Sequence, residues 1–60
     1  MVIPSYIYVG RTIPLKAFGV GVIRKIYMHP ESHEMCCDVY SARAPAGLHL
    51  SLLYVVRLLA

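Results

Sequence analysis

Apolar and polar positions alternate along this chain in short runs, and a proline or glycine interrupts them every few residues. That is the rhythm of strands rather than helices. The breakers are Pro4, Gly10, Pro14, Gly19, Gly21, Pro30, Pro45 and Gly47, and they leave no uninterrupted helical window before Leu48. Residues 2–9 read as a β-prone first segment in which Tyr6 and Tyr8 alternate with Ile7 and Val9. Gly10-Arg11-Thr12 turns the chain, and Pro14 confines residues 13–15 to an edge or irregular piece. Phe18-Gly19-Val20-Gly21 then forms a tight turn feeding the longest strand, residues 20–28. Neighbouring Val22 and Ile23 break its alternation, which predicts a bulge or bend at that point.

His29-Pro30-Glu31-Ser32-His33-Glu34 is a polar hairpin loop. Residues 35–40 return as a strand, with Met35, Cys37 and Val39 on one face and Cys36, Asp38 and Tyr40 on the other. Residues 42–47 form the next turn. Leu48, Leu50 and Leu52 alternate with His49 and Ser51 as a half-buried strand, followed by a helical turn at Leu53-Tyr54 and a last strand over 55–58. The alternative for this last stretch is a helix, because Leu48, Leu52, Val55, Val56 and Leu59 also share one face at helical spacing. Strand is the expectation.

Sixty residues make one small domain, over 1–60. The chain is 58% apolar with a mean hydropathy of +0.61, above the roughly 45–50% usual for soluble domains. A small sphere hides little surface, so part of this apolar area is expected to face a second copy or another partner. Homo-oligomerisation is the first expectation. The apolar run at residues 48–60 is interrupted by His49, Ser51 and Arg57 and falls short of the roughly 20 residues that a spanning helix needs. The first residues lack the basic start and continuous apolar core of a secretion signal. Both point away from the membrane and towards a cytoplasmic protein. Cys36 and Cys37 are adjacent, a geometry unsuited to bridging, and they predict no disulfide framework.

The net charge is +3, and its distribution is uneven. The acids Glu31, Glu34 and Asp38 crowd into residues 31–38, while Arg11, Lys16, Arg24, Lys25, Arg43 and Arg57 lie outside that window. Such segregation favours pairing with a polyanion or with a second copy. Lys16, Arg24, Lys25 and Arg43 are candidates for one basic edge, with Tyr27 as a stacking surface, and these five are the expected nucleic-acid or partner-binding residues. Tyr27 and Tyr40 flank one hairpin and are expected to pair across it.

Other chemistry has weaker support. His29, His33, Cys36 and Cys37 hold the donor types that zinc takes, but only the histidine pair has an ordinary zinc spacing, and adjacent cysteines on a strand face opposite ways. No metal is expected, with His29, His33 and Cys36 the candidates if one binds. No third group orients a Cys–His pair for nucleophilic catalysis. Gly19-Val20-Gly21 lacks the lysine and hydroxyl of a phosphate loop. The chain reads as non-enzymatic and without cofactors.

From Val9 onward the layout resembles the small SH3-like barrels of the Tudor and KOW type. It is similar in particular to those appended to DNA-repair helicases, through Phe18, Gly19, Gly21, Ile23 and Ile26, then Gly47, Leu48, Leu50 and Val56-Arg57-Leu58-Leu59. The resemblance implies an all-β, five-stranded barrel with a short helical turn near the C-terminus. It also implies an adaptor that contacts nucleic acid or a nucleic-acid-processing protein. The layout is similar, too, to the plasmid-encoded type II dihydrofolate reductases, short SH3-like barrels with a site in a central pore between subunits. Their pore-lining Val-Gln-Ile-Tyr stretch is absent, Leu48-His49-Leu50-Ser51 standing at the comparable positions. From that likeness comes only the alternative of a small-molecule site at a subunit interface.

Overall fold

In the computed structural model, residues 3–60 are described. Four strands form an antiparallel meander in the order of the sequence: β1 (Thr12–Leu15), β2 (Gly19–Met28), β3 (Met35–Ser41) and β4 (Ala44–Ser51). A helix, α1 (Leu52–Leu59), follows without a loop. The sheet is open, with β1 and β4 at its edges. It is not the closed five-stranded barrel expected from sequence.

Alternation gives the sheet two faces. Ile13, Leu15, Ile23, Cys37, Val39 and Ser41 are buried on the inner one. There they meet Leu52 and Val55 of α1, which packs against β1, β3 and β4. Gly21 sits on this face because nothing larger fits. A Cβ there would lie 2.6 Å from both Leu15 Cδ1 and Val39 Cγ1, well inside carbon–carbon contact distance. Gly19 has φ 76° and supplies the left-handed turn into β2. The Gly19-Val20-Gly21 pattern therefore combines one turn glycine and one packing glycine.

Two sequence expectations need correction. Residues 3–9 are not a strand; Val2 lies outside the described residues. Pro4 has no N–H for a ladder, and its carbonyl instead accepts from Ile7 N–H at 3.0 Å. Tyr8 O accepts from Arg11 N–H at 3.1 Å, and the Arg11 guanidinium reaches Tyr6 O at 3.0 Å. The segment coils into turns that lower Ile7 into the core. The second correction is at the C-terminus, where the helical alternative holds over Leu52–Leu59 and no strand forms over 55–58. The Ser51 hydroxyl accepts from Tyr54 N–H at 3.1 Å and caps the helix. Two buried residues three apart, Leu52 and Val55, then seat it on the sheet.

The predicted bulge is present but displaced. Ile23 opposes Val39 while Ile26 opposes Cys37, so the extra residue of β2 lies between Ile23 and Lys25 rather than at Val22 and Ile23. A second irregularity lies between β3 and β4, where Val39 opposes Leu48 but Ser41 opposes Ala44. The turn expected over 42–47 shrinks to Ala42-Arg43, and Gly47 at φ 89° absorbs the excess inside β4.

Candidate binding face

The two ladder interruptions lie on either side of Val39 in β3, one between Asp38 and Val39 against β2 and the other between Val39 and Ser41 against β4. Bulges bend a strand and re-aim its side chains. Here they open a cleft of about 210 Å³ on the outer face, lined by Arg24, Lys25, Asp38, Tyr40, Gly47 and His49 among others. The bulge turns Arg24 over the Tyr40 ring, 5.1 Å from its centroid, and Lys25 lies 5.4 Å from the centroid of Tyr27. Each is a cation–aromatic pair at an exposed site.

A polar row crosses the sheet beside them, with Lys25 opposite Asp38 and Asp38 opposite His49. His49 Nδ1 lies 2.5 Å from Asp38 Oδ1. A carboxylate only accepts, so Nδ1 carries the proton and donates it. Tyr27 Oη is 3.3 Å from the same nitrogen, and with the Nδ1 proton committed to Asp38 the phenol O–H is left to donate towards the Asp38 carboxylate. The His49 side chain is 72% exposed, so the rest of its ring faces solvent. Shielding by its neighbours, and next the negative charge of Asp38, raise the Tyr27 phenol above its ordinary value of 10.0. Tyr27 therefore stays a neutral, uncharged ring under physiological conditions.

Of the five residues expected to form one basic edge, the structure brings Arg24, Lys25 and Tyr27 together on the middle of the outer face. Lys16 and Arg43 stand apart, in the β1–β2 and β3–β4 turns at one end of the sheet. The tyrosines do not pair across the hairpin: Tyr27 opposes Cys36 and Tyr40 opposes Val22. Each is matched with a cation instead. Asp38, Tyr40 and His49 are cleft residues that sequence reasoning left out of the site. Alternation already put Asp38 and Tyr40 on one face, but only the register joins His49 to them.

The metal candidates are dispersed. His29 Nδ1 accepts from the N–H groups of Glu31 and Ser32, at 3.2 and 3.3 Å, and so organises its own loop. Cys36 is half-buried on the outer face, whereas Cys37 is fully buried on the inner one. Among the described residues no three His, Cys, Asp or Glu side chains group as a metal would require. No described helix is long and apolar enough to cross a membrane. Comparison with family models, with curated proteins and with solved structures gave no match.

Proposed function

We propose that the chain is a non-catalytic binding module whose outer sheet face takes single-stranded nucleic acid. The observation that carries this reading is the pair of cation–aromatic couples, Arg24 with Tyr40 and Lys25 with Tyr27, placed beside the interrupted ladder. Single strands are bound by basic groups that track phosphates and by aromatic rings on which bases stack, largely without regard to sequence. The face supplies both kinds of group in alternation. Base edges find a donor or acceptor in the exposed His49 imidazole and the Asp38 carboxylate.

The four-stranded meander entered through Phe18, Gly19 and Gly21 supports kinship with SH3-like adaptors, α1 then standing where a fifth strand would close the barrel. A cytoplasmic location suits such a ligand and two free thiols. Fluorescence anisotropy with labelled single-stranded and duplex DNA and RNA, at low salt and micromolar protein, tests the reading. Single strands are expected to bind more tightly than duplexes, with affinity falling steeply as salt rises. The absence of any anisotropy change would overturn it.

A further inference from the structure

On the other side of the sheet, α1 leaves an apolar surface uncovered. Leu53 is 59% exposed, Met28 is 57% exposed, and Tyr54 is also exposed. The end of the β2–β3 hairpin and the first residues of α1 together line an open groove of about 410 Å³, formed by Met28, His33, Glu34, Met35, Leu52 and Leu53 among others. A polyanion does not suit this groove, whose formal charge is the Glu34 carboxylate.

We propose that this face joins two copies of the chain, their α1 helices packed antiparallel about a two-fold axis. The charges indicate both the occupant and the orientation. Arg57 is exposed four residues beyond Leu53, on the same stripe of the helix and about 6 Å further along its axis. Glu34 lies at the opposite, N-terminal end, in the groove wall.

Antiparallel packing brings each Arg57 to the other copy's groove, where its aliphatic stem covers Leu53 and Met28 and its guanidinium faces Glu34. A two-fold axis makes this contact twice. Parallel packing would instead set Arg57 beside Arg57 and Glu34 beside Glu34. The pairing also covers part of the apolar excess that a sixty-residue, 58% apolar chain cannot bury alone. Because α1 lies on the inner side, the outer faces of both copies stay free, and the dimer presents two nucleic-acid faces.

Sedimentation velocity of the full chain over a concentration series tests the interface, with far-ultraviolet circular dichroism to confirm folding of each variant. The wild type is expected to sediment as a dimer at tens of micromolar, and a monomer throughout the series overturns the proposal. Leu53→Glu is expected to give a folded monomer. An acid in the first helical turn favours the helix itself, so monomerisation would not reflect helix loss. A dimer that survives Leu53→Glu overturns the assigned face. Arg57→Glu and Glu34→Arg are each expected to weaken association by about tenfold or more, and the double variant to restore most of it. Charge reversals without effect, or without mutual rescue, overturn the antiparallel pairing.

Discussion

The Ser41 hydroxyl donates to the Phe18 carbonyl at 2.8 Å, tying the β3–β4 turn to the β1–β2 turn across 23 residues of chain. The same oxygen accepts from Arg43 N–H at 3.3 Å. Ser41 is fully buried, and among the described residues it is the one buried polar side chain. Ser41→Ala leaves a carbonyl and an amide without their partner and is expected to cost about 1–3 kcal/mol. For a sixty-residue domain with a total stability of about 3–9 kcal/mol, that is a large share. Urea unfolding measures it, and a midpoint unchanged by the substitution would show that the two turns hold together without this bond.

Gly21 is the tighter constraint of the two β2 glycines. Its Cβ position is occupied from both sides, by Leu15 and Val39, with the Tyr40 carbonyl 3.3 Å away. Gly21→Ala is expected to destabilise by about 1–3 kcal/mol through overpacking. The same change at Gly19 meets no atom within 4 Å and is opposed only by its positive φ, at about 1–2 kcal/mol. The Gly21 variant should also loosen the Tyr40 backbone and with it the cleft. Parallel denaturation curves and proteolysis rates for the two variants distinguish a packing glycine from a turn glycine.

The meander was legible in the sequence because punctuation and alternation are local signals. Proline at position 14 marked the edge strand, and the 29–34 loop stood out by its polarity. Two stretches were not legible. Residues 3–9 carry strand-forming side chains, yet Pro4 and the Arg11–Tyr6 contact turn them into a cover for the core. Over 48–59 both periods fit, and the change from strand to helix at Ser51-Leu52 depends on a serine cap that resembles any strand serine. The basic edge was half legible for a related reason. Composition identifies Arg24, Lys25 and Tyr27, but Asp38, Tyr40 and His49 join them only through the register of three strands.

Asp38 is the one acid among the cleft residues, and it opposes a polyanion directly. Asp38→Asn removes that repulsion and frees the His49 imidazole, so single-stranded nucleic acid is expected to bind about two- to five-fold more tightly. Tyr40→Ala and Arg24→Ala act in the opposite sense, and loss of one stacking ring is expected to weaken binding by about fivefold or more. Only the Arg24 change should reduce the salt dependence. Affinities at several salt concentrations separate the stacking contribution from the charge contribution, and equal slopes for all three variants would remove Arg24 from contact with phosphate.

Burial first, and then the neighbouring Cys36 and Asp38 charges, push the Cys37 thiol above its ordinary value of 9.0. The unfolded chain releases this proton near the ordinary value, while the folded chain retains it. Above that pH the unfolded state therefore binds fewer protons, and stability falls. The contribution is fully present below the unfolded thiol pKa and is lost as pH rises through the folded one. Tyr27, also raised, acts with the same sign at higher pH. The urea midpoint is expected to hold steady from pH 6 to about 8 and to decline beyond about 9. At pH 8 iodoacetamide should modify the half-exposed Cys36 quickly and Cys37 only at the rate of unfolding. Tandem mass spectrometry of the tryptic peptide 26–43, which carries both cysteines, assigns the label to each site over time by fragmentation between them, and equal labelling under native conditions would place Cys37 outside the core.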